Sequence, residues 1–296
     1  MRTPVFTGTC TALITPFRAD GAINYPTFAR QIEAQIAGGV SALCVCGTTG
    51  EASTLSYEER AAAVAFCAEQ ADHRVKVIAG AGSNNTAAAL RLCQQARDAG
   101  ADGLLLVTPY YNKATQAGLI QHYEFIADRV DLPMILYNVP SRTGLSFTAE
   151  TYRTLSAHPN INGVKEASGN FALLTHTLSL CPPDFSVWSG NDDQIVPMMA
   201  LGAKGVISVA ANLIPAVMVR LCRLCLDEQF HRAADLQLRY SELIDALFCE
   251  VNPIPVKTAM DLLGMEAGGL RLPLCDPTPQ SLSLLRSALE RAGLLT

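Results

Sequence analysis

The chain has 296 residues, 49% of them hydrophobic and 17% charged, with a net charge of −5. That length suits one large α/β barrel with a short appendage, or two ordinary domains. The acidic balance, with no basic run and no interleaving of basic and aromatic residues, speaks against nucleic acid as a partner. No apolar run approaches the roughly 20 residues needed to span a bilayer. The opening residues MRTPVFTGTC carry no apolar signal core. A cytoplasmic location with no membrane partner is the expectation.

Short apolar or β-branched runs recur along the chain: Thr9–Ile14, Ala42–Cys46, Val75–Ala79, Gly103–Val107, Met134–Tyr137, Gly163–Lys165, Ser186–Ser189 and Gly205–Val209. Segments with helical spacing lie between them, such as Tyr57–Gln70, Thr86–Ala99 and Gln116–Val130. Alternating strands and helices predict a parallel sheet. Eight such units in under about 250 residues predict a closed (β/α)₈ TIM barrel. Glycines after helices, at Gly38, Gly100 and Gly202, suit the positive φ of a helix C-terminus and mark the bottom of the barrel. After about Asp227 the strand runs stop. Phe230–Phe248, Pro255–Leu263 and Ser281–Ala292 read as helices. The expected organisation is a catalytic barrel over 1–228 and a small helical domain over 229–296.

The ten cysteines are expected to be reduced and buried rather than bridged. Cys44 and Cys46 alternate in a strand run and are expected on one face. Cys222 and Cys225 form a C-x-x-C inside a helical pattern, without the second pair or histidines that a zinc site needs. No His/Asp/Glu cluster suggests a metal.

Active sites of such barrels lie past the C-terminal ends of the strands, which sorts the five lysines. Lys76 and Lys204 open strands and face the bottom. Lys257 belongs to the C-terminal helices. Lys113 follows the fourth strand in a polar loop. Lys165, in NINGVKEASGN, alone combines the catalytic face with a strand anchor. An amine there can form a Schiff base with a carbonyl substrate. A free lysine titrates near about 10.4, and a desolvated barrel mouth favours the neutral, nucleophilic form. The competing roles are a solvated strand-end lysine or a partner for Glu166.

Three further segments face the same end. GTTGE, from Gly47 to Glu51, can cradle a carboxylate with backbone N–H groups and the hydroxyls of Thr48 and Thr49, or can be an ordinary loop. Tyr137 ends the fifth strand and can relay protons; Arg142, shortly after, can clamp a carboxylate. Tyr110 and Tyr111 in TPYYN are candidates for core, interface or catalysis, with interface packing favoured. The loops after the last two strands, SGNDDQ and VAAN, hold no Lys or Arg but do hold Asp192 and Asp193, against a phosphate site in the customary barrel position.

GTTGE, TPYYN, YNVPSRTG, GVKEASG, GVISVAAN and NPIPVK follow one another across essentially the whole chain. In order and spacing the set resembles the dihydrodipicolinate synthase family, within the wider group of N-acetylneuraminate lyase and other pyruvate-dependent aldolases. The resemblance implies a barrel with a helical C-terminal domain, a homotetramer of tight dimers, and no cofactor. It implies that Lys165 forms an imine with pyruvate, and that Tyr137, Thr48 and Tyr111 relay protons, Tyr111 in a neighbouring subunit's site. Thr48 and Thr49 would hold the pyruvate carboxylate, and Arg142 that of aspartate semialdehyde. Ile207, through its carbonyl, and Gly190 complete the implied substrate site.

One position departs from the family. Relatives inhibited by lysine bind its ammonium group with a glutamate, and the matching residue here is Ala88. Tyr57 and Arg60 stand where sensitive relatives often have histidine, while Asn84 and Tyr110 match. Weak or absent inhibition by lysine is the expectation. Arg142 favours a second substrate with its own carboxylate over the sugar acid of an N-acetylneuraminate lyase. The reading from another class is a non-catalytic paralogue that binds a small acid.

Overall fold

The computed structural model describes residues 2–295. Eight parallel strands close into a barrel in sequence order: β1 (Gly8–Ala12), β2 (Ala42–Val45), β3 (Lys76–Gly80), β4 (Gly103–Val107), β5 (Met134–Asn138), β6 (Ile161–Glu166), β7 (Ser186–Ser189) and β8 (Gly205–Ser208). The helices between them are α1 (Tyr25–Ala37), α2 (Tyr57–Ala71), α3 (Thr86–Asp98), α4 (Gln116–Ala127), α5 (Pro140–Thr143), α6 (Ala149–Leu155), α7 (Phe171–Leu180) and α8 (Ile195–Ala200). After β8 come α9 (Pro215–Leu226), α10 (Phe230–Arg239), α11 (Ser241–Ala246), α12 (Ile254–Leu262) and α13 (Pro279–Arg291). No described helix is long and apolar enough to cross a membrane.

Helix starts follow their local chemistry. Ser56 and Glu59 form a reciprocal capping box on α2, and Thr115, Thr148, Asn170 and Thr278 cap α4, α6, α7 and α13 with side-chain oxygens. Each such cap contributes about 1 kcal/mol by satisfying an orphan backbone N–H.

Burial on both faces of the sheet explains the continuous apolar runs. One core lies between sheet and helices. The other fills the barrel with Cys10, Cys44, Ile78, Leu105, Ile135, Trp188 and Ile207. Phe6 closes the bottom by stacking on Trp188 at 5.1 Å and accepting its indole N–H at 3.2 Å.

The structure corrects four sequence expectations. Cys44 and Cys46 do not share a face: β2 ends at Val45, Cys46 takes a positive φ of 56°, and its side chain joins the outer core while Cys44 points inward. After α1 it is Gly39, at φ 83°, that turns left-handed; Gly38 stays helical. The run Phe230–Phe248 is two helices. Gln237 hydrogen-bonds Val196 and Asp193 on the barrel side, and the chain bends at Tyr240 so that α11 can reach α13. Of the ten cysteines seven are buried, but Cys181 and Cys249 are half-buried and Cys275 is exposed.

Candidate active site

The C-terminal ends of the strands bring the expected residues to one place. Tyr137 and Lys165 are direct register partners on β5 and β6, and Trp188 on β7 pairs with Lys165 on the other side. The lysine is 6% exposed, with its nitrogen 4.4 Å from the centre of the Tyr137 ring. Lys76 and Lys257 carry carboxylate partners; among the described residues Lys165 has none at ion-pair distance. Glu166 points the other way, to Asn138, the Tyr152 hydroxyl and the Ser168 N–H, so it is not the lysine's partner. Below the amine lie buried thiols. Burial pushes Cys44 up to about 11 and Cys10 well above the usual thiol range, so both present neutral S–H groups.

Lys165, Tyr137, Thr48, Thr49, Arg142 and Gly190 line one cavity of about 150 Å³. Gly47 to Glu51 forms the expected tight turn, with the N–H groups of Gly50 and Glu51 returning to the carbonyls of Gly47 and Thr48. Gly190 lies against the lysine: a Cβ there would meet Ala167 Cβ at 2.6 Å and Lys165 Cε at 3.0 Å. A larger cavity of about 340 Å³ adjoins, sharing Thr48, Tyr137 and Arg142 and opening beneath Tyr110.

Three residues sit elsewhere. Ile207 is fully buried in the barrel layer below the cavity, level with Cys10 of β1. Lys113 is exposed and lies against Gly144, off the cavity. Tyr111 is 93% exposed and held at φ 68°, in a turn pinned where Asn84 donates to the Tyr110 carbonyl and Asn112 donates back to Asn84. A phosphate at β8 is opposed by Asp192, whose carboxylate already accepts the N–H groups of Val209 and Ala210 at 3.0 and 2.9 Å.

Sequence reasoning missed Asn252. Its side-chain amide donates to the Thr49 hydroxyl at 3.0 Å, and its backbone carbonyl accepts from Arg142 at 3.5 Å. Its place at the head of NPIPVK was the available signal.

Fold and site together define a (β/α)₈ barrel with a buried amine, a phenol, two threonines and an arginine around one cavity at its catalytic end. The chain belongs to the Dihydrodipicolinate synthetase family, which it matches over residues 5–292. It is 48% identical over 293 residues to a 4-hydroxy-tetrahydrodipicolinate synthase of Thermoanaerobacter sp. (strain X514), covering 99% of this chain and 98% of that one. A protein of the same name from Acetivibrio thermocellus is also 48% identical, over 100% of both chains. The crystal structure of dihydrodipicolinate synthase from Aquifex aeolicus superposes with a TM-score of 0.96 at 43% identity, covering 98% of this chain and 99% of that one.

Proposed function

We propose that the protein is a Schiff-base-forming lyase that condenses pyruvate with L-aspartate 4-semialdehyde to 4-hydroxy-tetrahydrodipicolinate, in the diaminopimelate route to lysine. One observation carries the mechanism: Lys165 is buried at the end of β6 against Tyr137, in the cavity that holds Thr48, Thr49 and Arg142. The full-length relatives named for this activity support it over a sugar-acid aldolase or a non-catalytic binding protein.

The chemistry follows from these groups. The neutral amine of Lys165 adds to the pyruvate ketone, and the carbinolamine loses water to give the imine, with Tyr137 and Thr48 moving the protons. Thr48 and Thr49 hold the pyruvate carboxylate. Loss of a methyl proton gives the enamine, whose carbon attacks the aldehyde. Arg142 fixes the second carboxylate bidentately. The amino group of the second substrate then displaces Lys165 and closes the ring, freeing the enzyme amine. Gly190 leaves room for the lysine arm, and the Ile207 carbonyl is assigned to the amine's surroundings.

The reading extends to a homotetramer of tight dimers in the cytoplasm, with 1–228 as the catalytic barrel and 229–296 as a helical domain. The exposure of Tyr111, and the open cavity beside Thr48 and Tyr137, favour a relay completed by a neighbour's Tyr111. Borohydride reduction with pyruvate, followed by peptide mass spectrometry, is the test. An adduct on Lys165 is expected; no adduct, or one on Lys113, overturns the mechanism. Turnover with aspartate semialdehyde, measured beside cleavage of sialic acid, separates the synthase from the lyase.

A further inference from the structure

Two residues of the recurring motifs take no part in that chemistry: Glu51, which ends GTTGE, and Lys257, which ends NPIPVK. Both side chains are buried, at 0% and 2% exposure, and they pair at 2.9 Å. The Lys257 ammonium also donates to the carbonyls of Thr15 and Gly269 and lies 4.5 Å from the centre of the Phe17 ring. The second Glu51 oxygen accepts the Arg271 N–H at 3.0 Å. Every charge in this buried pair therefore has partners, the condition under which such a pair is tolerated.

Its location gives it a task. Glu51 adopts a left-handed conformation, φ 52° and ψ 36°, which is uncommon for a residue other than glycine. Its own N–H closes the turn onto the Thr48 carbonyl. The C-terminal segment also grips the loop at other points: Asn252 on the Thr49 hydroxyl, and the Arg271 guanidinium on the Thr54 carbonyl and Glu59. An apolar pair would fill the same volume without fixing orientation. Hydrogen-bonded charges fix where the turn sits.

We propose that Lys257 and Glu51 are positioning residues for the pyruvate carboxylate, through which α12 sets the geometry of the Thr48–Thr49 turn. The proposal rests on the reading of those threonines as the carboxylate's holders.

The test is steady-state kinetics of the intact enzyme for Lys257→Met, Glu51→Gln and the double variant, with thermal midpoints beside them. Removing one partner strands a buried charge and lowers the midpoint; removing both restores much of it. The pyruvate KM is expected to rise about tenfold in the double variant, the scale of one misplaced hydrogen bond to a charged group. The aldehyde KM should change little. A pyruvate KM that recovers together with the midpoint overturns the positioning role, as does an equal rise for both substrates. If Lys257→Met does not fold, the uncharged double variant still decides. Thr49→Val separates the two levels: an unchanged pyruvate KM there overturns the underlying reading instead.

Discussion

The Lys165 nitrogen lies 4.4 Å from the centre of the Tyr137 ring, and the two residues are register partners on adjacent strands. The ring face can stabilise a cationic iminium, and the phenol is the group proposed above for the proton transfers. The two roles proposed for this side chain are separable. Tyr137→Phe keeps the ring and removes the proton relay. Its kcat should fall by about 10²–10⁴-fold, with the thermal midpoint nearly unchanged. Kinetics beside calorimetry check this; near-normal kcat would remove Tyr137 from the relay.

Gly190→Ala tests the room above the lysine. The new methyl would lie 3.0 Å from Lys165 Cε and 2.6 Å from Ala167 Cβ, so the lysine arm must shift. A misplacement of about 1 Å costs on the order of 10²-fold. The rate of imine trapping by borohydride should drop accordingly.

The relay proposed between subunits predicts complementation. Lys165→Ala and Tyr111→Phe should each be nearly inactive alone. Unfolded together and refolded as a mixture, they should regain activity, because some hybrid sites combine a native lysine with a neighbour's native tyrosine. No recovery in mixtures that demonstrably form hybrids would place Tyr111 outside the relay.

Inhibition by lysine should be weak or absent. Ala88, in the first turn of α3, offers no carboxylate to an ammonium group. Tyr57 is covered by the Arg91 guanidinium at 4.5 Å, and the Arg60 guanidinium is engaged by the Ala52 carbonyl. Losing a buried ionic partner costs a few kcal/mol of binding, about 2–5. An inhibition constant in the micromolar to low-millimolar range would contradict this.

His122 makes stability depend on pH. Burial lowers its imidazole to about 4, whereas the unfolded chain titrates near about 6.5. The unfolded state therefore takes up the proton first as pH falls. Stability is full above the unfolded value and is lost down to the folded one. Between pH 7 and 5 the loss is about 2 kcal/mol. Urea titrations should show it, and the double variant His122→Leu/Thr86→Val, which also removes the hydroxyl bonded to Nδ1 at 2.9 Å, should flatten the dependence.

Strand order, the barrel and the place of Lys165 were legible because they are local or periodic. A strand buried on both faces is mostly apolar, and the C-terminal ends of barrel strands lie at the catalytic mouth. Gly103–Val107 and Ser186–Ser189 occur as read. Cys46 and Tyr240 were not legible, because a backbone turn or bend at one residue follows from packing against distant elements. The Lys257–Glu51 pair joins positions 206 residues apart, and Asn252 reaches Thr49 across 203. By itself the sequence determined the fold class and the place of Lys165 at the catalytic end of β6. Only the tertiary structure decided which C-terminal residues contact the Gly47–Glu51 turn, since a buried charge finds its partner through folding rather than spacing.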